Sequence, residues 1–204
     1  MDQRDCLEFE KKLGHPCSGI VGVDEVGRGC LAGPVVAAAY TLPEVVDFQK
    51  ESWLSEITDS KKLSAKKREN FYEKLWGFSP CVKVGVASVE EIDEINIFHA
   101  SHLAMKRAIE AVAQEIKIQA VLVDGKFLPK GLNFSMLPVI KGDLRCLSIS
   151  CASIVAKVWR DRHLENLDLL YPGYGLASHK GYPTPSHQEA LKRLGVSIIH
   201  RKSF

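Results

Sequence analysis

Three apolar segments of this chain end in carboxylates, and apolar strands seldom carry charge without a reason. The sharpest is Val23-Asp24-Glu25-Val26-Gly27-Arg28-Gly29. Burying an unpaired carboxylate is costly, so two in succession must hold a cation, pair with a basic group, or stay protonated. Neighbouring strand residues point to opposite faces, so Asp24 and Glu25 reach one site only where the strand ends or bulges, which Gly27 and Gly29 permit. The glycines also admit a close phosphate backbone, and Arg28 offers a fork of donors to it. A structural salt bridge to Arg28 is the competing explanation.

The second segment is Val121-Leu122-Val123-Asp124-Gly125, whose aspartate alone would also suit an ordinary turn. The third is Val139-Ile140-Lys141-Gly142-Asp143. Three strand ends of this kind can converge at one end of a sheet. Oxygen donors with no accompanying His or Cys cluster suit Mg²⁺ or Mn²⁺ rather than zinc or copper. Four carboxylates carry a charge of about −4, which two divalent ions would neutralise, and paired ions serve in-line displacement at phosphorus. The residues point to a metal-dependent nuclease or phosphoryl transferase.

The elements that must position these groups are legible in the hydrophobic pattern. Two strands are expected, from Gly19 to Val26 and from Pro34 to Leu42, as a hairpin or as neighbours. Ser64 caps a helix running to about Trp76, with Phe71, Tyr72, Leu75 and Trp76 on its apolar side. A strand over 82–89 follows. Ser88 and Glu91 have capping-box spacing, and a longer helix is expected over 97–116. Ala120 to Asp124 reads as a buried strand, 137–140 and 147–149 as short strands, and 152–170 as a strong helix. Pro172, Gly173, Gly175, Gly181, Pro183 and Pro185 impose an irregular loop before a last helix over 186–194. The expected fold is an α/β domain with a mixed sheet over residues 1–170, followed by a small helical extension over 171–204 packed on it.

Composition excludes several classes. With 204 residues, 46% hydrophobic and 25% charged, the chain has the make-up of a globular domain rather than a disordered or fibrous one. Its longest uncharged stretch, Gly29 to Pro43, is shorter than a membrane span and is interrupted by Gly33 and Pro34. The start, Met1-Asp2-Gln3-Arg4-Asp5-Cys6, lacks the basic and apolar pattern of a secretory signal, so a cytoplasmic location is expected. The cysteines at 6, 17, 30, 81, 146 and 151 form no C-x-x-C pair and read as small reduced hydrophobes, not zinc ligands. Basic residues cluster at Lys61, Lys62, Lys66, Lys67, Arg68 and Lys74, and again at Lys180, Lys192, Arg193, Arg201 and Lys202. Two such segments on a slightly acidic body could follow a polyanion or be solvated helix faces. His179, His187 and His200 match no ligand spacing and read as structural, and Ser150 and Ser153 lack the elbow of a serine nucleophile.

Asp24-Glu-Val-Gly-Arg-Gly29 followed by Gly33-Pro-Val-Val resembles the signature of the ribonuclease HII family. The rest agrees in order: Asp59-Ser-Lys-Lys-Leu63, Val123-Asp-Gly125, Lys141-Gly-Asp143, Ala152-Ser-Ile-Val-Ala-Lys157 with Arg160-Asp161, His179-Lys-Gly-Tyr-Pro-Thr184 and His200-Arg-Lys-Ser-Phe204. The Gly27-Arg28-Gly29 triplet favours type HII over its relative HIII. The resemblance implies a ribonuclease H-like fold: a mixed sheet flanked by helices. It implies hydrolysis on the 5′ side of a ribonucleotide in duplex DNA, or in the RNA strand of an RNA–DNA hybrid, leaving 3′-hydroxyl and 5′-phosphate ends. By motif, Asp24, Glu25, Asp124 and Asp143 become the catalytic metal carboxylates for two Mg²⁺ or Mn²⁺ ions. Asp161 is expected to be structural or to stand behind the ligands. Gly27, Arg28 and Gly29 match the loop that grips the 2′-hydroxyl and a neighbouring phosphate, and Tyr182 matches the tyrosine that senses the RNA-to-DNA junction. Lys61 and Lys180 are further substrate-binding candidates. The expected partner is nucleic acid, acted on by a monomer with no membrane association, and the tail shows no evident sliding-clamp motif. A non-catalytic nucleic-acid binder is the rival reading, but it gains nothing from carboxylates where phosphates must come.

Overall fold

In the computed structural model, residues 6–14 and 19–204 are described, so the extreme amino terminus and Cys17 lie outside the described residues. Five strands form one sheet in the order β3-β2-β1-β4-β5. They are β1 (Ile20–Val26), β2 (Val35–Thr41), β3 (Val82–Ala87), β4 (Ala120–Asp124) and β5 (Met136–Val139). The first three are antiparallel neighbours, whereas β4 and β5 run parallel to β1, so the sheet is mixed. This matches the expected class.

The helices are α1 (Glu8–Lys12), α2 (Ala65–Phe78), α3 (Val89–Ala113), α4 (Leu147–Leu170), α5 (Leu176–His179) and α6 (Pro185–Leu194). Alternation along the strands decides what each face meets. Val21, Val23, Ala37, Ala39, Val121 and Val123 pack on Ala104, Ala108, Ile109 and Val112 of α3. On the other face Ala38 and Tyr40 meet α2 and α4, and Ile20, Leu122 and Val139 meet Cys146 and Ile149. Asp24 and Asp124, in phase with Ile20 and Leu122, therefore emerge on the α4 side. A separate small cluster of Ala32, Leu164, Tyr174, Leu176, Ala190 and Ile199 seats the carboxyl-terminal segment.

Two expected elements differ. Residues 147–149 are not a strand but the first turn of α4, which starts five residues before the expected boundary. A short apolar β-branched run cannot be told from buried helix by periodicity. Its cap is not local: Ser148 N and Oγ both donate to Glu10 Oε1, at 2.9 and 2.8 Å, and Leu147 N donates to the Cys6 carbonyl. Helix α3 starts at the Ser88/Glu91 capping box rather than at 97, and Asn96 kinks it with φ of 62° while its Oδ1 caps Phe98 and His99. Within the expected irregular loop, α5 adds one turn. Cys30, Cys81, Cys146 and Cys151 are buried thiols outside any disulfide. No helix among the described residues is long and apolar enough to cross a membrane.

Candidate active site

Strand β1 stays paired to β2 through Val26, whereas its pairing to β4 is last made by Val23 with Val123. Its final residues thus pass beyond the end of β4, and no bulge is needed for both carboxylates to reach one place. A cleft of about 80 Å³ is lined there by Asp24, Glu25, Asp124 and Asp143 with Ser60, Lys61, Ser153, Lys157 and Tyr182. Asp124 Oδ1 accepts from Gly142 N at 2.7 Å, which ties the end of β4 to the turn that carries Asp143.

The carboxylates are crowded. Burial first, then the charges of Glu25 and Asp124, hold the Asp24 carboxyl well above its ordinary range, against hydrogen bonds from Ser153 and the Glu25 amide. Glu25 is raised by burial, and Arg28 Nη1 at 3.5 Å from its Oε1 offsets part of this. Asp143 is raised by burial, then by Asp124 and Asp59, with Lys61 and Lys62 opposing. Groups that resist ionising for want of counter-charge will accept a cation in place of a proton. No three His, Cys, Asp or Glu side chains among the described residues are drawn tightly enough together to hold an ion by themselves. That arrangement fits a hard divalent ion such as Mg²⁺, which keeps waters and uses one or two carboxylates plus substrate phosphate oxygens.

The Gly27-Arg28-Gly29 loop is held from behind by two buried arginines that form no ion pair among the described residues. Arg160, wholly buried, donates to the carbonyls of Pro34, Lys180 and Ala32 at 2.8 to 3.0 Å. Arg201 donates to Gly33, Arg28 and Gly27, the last at 2.6 Å, and burial lowers its guanidinium to about 10. Carbonyl oxygens here do the work that water does outside, making charge-assisted bonds. The two glycines then differ. Gly27 has φ of +99°, and a Cβ on it would lie 2.4 Å from Arg160 Nε, so the protein itself requires glycine. Gly29 has no positive φ and nothing within 4 Å of such a Cβ, so the fold leaves that space open.

Tyr182 stands across the cleft, with Lys157 Nζ 5.4 Å from its ring centre. Lys157 also pairs with Asp161 at 2.8 Å, and Asp161 lies outside the carboxylate cleft, facing a neighbouring polar groove with Lys180. Lys180 itself pairs with Glu165. Partial burial works against the Lys61 ammonium, but Asp59, Asp24 and Asp143 outweigh it and raise its pKa. The loop bearing Tyr182 rests on a buried histidine stack. His179 and His187 lie face to face at 4.2 Å, His187 Nε2 is 3.2 Å from His200 Nε2, and His187 Nδ1 bonds the Tyr182 carbonyl at 3.0 Å. Sequence reasoning did not single out Lys157, Arg160 or Arg201 for these tasks. They stood in stretches that resemble the family, but a guanidinium solvated by distant carbonyls leaves no local pattern.

The model for the family described as Ribonuclease HII matches residues 21–204. A protein named Ribonuclease HII from Myxococcus xanthus is 49% identical over 98% of this chain and 66% of its own length. Another of that name, from Ruegeria pomeroyi, is 50% identical over 91% of this chain and 75% of its own. Among solved structures, that of the PCNA:RNase HII complex from Archaeoglobus fulgidus superposes with a TM-score of 0.72 at 25% identity, covering 91% of this chain and 95% of that one.

Proposed function

The chain belongs to the ribonuclease HII family, and from that premise we propose that it is a metal-dependent endoribonuclease acting on RNA–DNA hybrids and on ribonucleotides embedded in duplex DNA. The observation that carries this reading is the convergence of Asp24, Glu25, Asp124 and Asp143 on one cleft beside an open Gly-Arg-Gly loop. Hydrolysis breaks the bond between phosphorus and the 3′ oxygen of the nucleotide preceding the ribose. Water's hydroxyl goes to phosphorus and a proton to the leaving oxygen, giving 3′-hydroxyl and 5′-phosphate ends. Two Mg²⁺ or Mn²⁺ ions, held by the four carboxylates, would supply activation of the water and neutralisation of the phosphate charge.

The protein's own residues bind and orient. The open space at Gly29 lets a ribose come against the backbone, where a 2′-hydroxyl can meet main-chain groups. Arg28 presents its fork to a phosphate, at the cost of a long and partly exposed contact with Glu25. Arg160 and Arg201 keep that loop in place. Lys61 holds its charge at the cleft mouth and faces the phosphate. The Tyr182 ring lies against the sugar that follows, where deoxyribose fits and a second 2′-hydroxyl would crowd it, and Lys157 steadies the ring.

A duplex with a single ribonucleotide, incubated with Mg²⁺ or Mn²⁺ and mapped at nucleotide resolution, tests the reading. One cut on the 5′ side of the ribose is expected, and folded Asp24→Asn and Asp124→Asn variants should leave the strand intact. Cleavage elsewhere, or near-normal turnover by either variant, would sink it.

A further inference from the structure

The loop that leaves β4 after Asp124 carries Phe127, whose side chain is 60% exposed. Phe127 meets Phe98 edge-on at 5.4 Å, and Phe98 meets His102 at 4.5 Å. With Lys106 of α3 and Lys130 of the same loop, these rings line a groove of about 280 Å³. The groove is built by the kink at Asn96, whose Oδ1 caps the restarted helix at Phe98 and His99 and so aims that helix face outward.

Its chemistry is one-sided. Lys126 and Lys130 are exposed beside Phe127. Glu110 lies a turn further along α3, 3.7 Å from Lys106. His102 is held below its ordinary value by burial and by the charge of Arg28, so it offers a neutral ring at pH 7. The chain itself joins the groove to the carboxylate cleft, since Phe127 follows Asp124 by three residues. Aromatic faces interleaved with lysines, adjoining a cleft for phosphodiesters, match the make-up of a nucleic-acid track.

We propose that this groove is a second contact for the substrate, taking the duplex flank beyond the cleft: the rings lie against the apolar faces of successive sugars, and Lys106 and Lys130 meet their phosphates. The inference rests on the ribonuclease reading given above. On its account, affinity depends on flank length.

The test uses single-ribonucleotide duplexes with about fifteen or about four base pairs on either side of the ribose, a contrast that spans the reach of phosphate contacts. Phe127→Ala should raise KM on the long duplex about fivefold or more with kcat unchanged. Joint reversal by Lys106→Glu and Lys130→Glu should lower the salt slope of binding by roughly two. On the duplex shortened on the contacted side, wild type and variants should converge. An unchanged KM on the long duplex overturns the proposal and leaves the face to some other partner. An equal loss on long and short duplexes also overturns it, because the substitutions then act through the fold. Wild-type failure to cut beside the ribose would remove the ribonuclease reading itself, a result separate from either.

Discussion

At the residue scale, the two glycines of one triplet are glycine for different reasons. Gly27 is demanded by the protein: a methyl there meets a buried arginine on backbone that already favours glycine. Gly27→Ala should cost about 2 to 3 kcal/mol in stability from strain and overpacking. At Gly29 the fold tolerates a methyl, so Gly29→Ala should keep stability within about 0.5 kcal/mol, as an exposed position does. Its activity should nonetheless fall by roughly a hundredfold, because a displacement of an ångström at the reacting sugar has that effect. Denaturant titration beside kcat/KM separates the cases. A Gly29→Ala enzyme of normal activity would mean that no substrate backbone comes close there.

At the element scale, α5, α6 and the final turn meet through imidazoles. Burial lowers His187 and His200, and the neighbouring rings, His187 beside His200 and His179 beside His187, lower them further. Tyr174 and Ser197 contact the stack as well, and Ser197 N donates to His200 Nδ1. Because these groups bind protons more readily unfolded, their contribution to stability is intact above the unfolded value of about 6.5. It is lost as pH falls from there toward their depressed folded values. The urea midpoint should therefore drop between pH 7.5 and pH 5, and a His187→Gln, His200→Gln double variant should show a shallower drop. An identical drop in the variant would place the acid sensitivity elsewhere. Since the stack bonds the Tyr182 carbonyl, acid should also loosen the loop that presents that ring.

At the scale of the whole molecule, charge and connectivity are distributed differently from their order in sequence. The first basic segment is partly spent internally: Lys67 pairs with Glu56, and Arg68 donates to the carbonyls of Ser60 and Leu63. Lys61, Lys62 and Lys66 remain exposed, Lys61 at the cleft. Reversing Lys62 and Lys66 to Glu should lower the salt slope of duplex binding by up to about two, as two lost phosphate contacts would. Arg68→Glu should act chiefly on stability. A salt slope unchanged in the Lys62, Lys66 variant, measured by anisotropy across a salt series, would turn this face away from nucleic acid. The carboxyl-terminal segment is stitched to the loop after β1 through Leu31 N to Gly181 O, Gly33 N to Ile199 O, Arg201 N to Leu31 O and the Ala32–His200 bridge. Residues at opposite ends of the chain thus shape one side of the site.

What the sequence by itself determined is whatever depends on neighbours in the chain. Runs of β-branched apolar residues marked the strands, Ser64 marked a helix start, the Ser88/Glu91 capping-box spacing was visible although the helix was expected only from 97, and carboxylates ending apolar runs marked Asp24, Glu25, Asp124 and Asp143 as a candidate hard-cation set. Only the tertiary structure decided matters settled between distant residues. Residues 147–149 are helical because Glu10, 138 positions away, takes up the Ser148 donors. Both carboxylates of β1 reach one cleft because β1 outruns β4, a register between strands a hundred residues apart. Arg160 and Arg201 hold the loop because folding replaces their water with carbonyls from Gly27 to Pro34, and the aromatic groove exists because a kinked helix meets the loop beyond β4. Local pattern carries propensity and periodicity, whereas burial, charge crowding and solvation of a buried cation belong to surfaces that come into being only when the chain closes on itself.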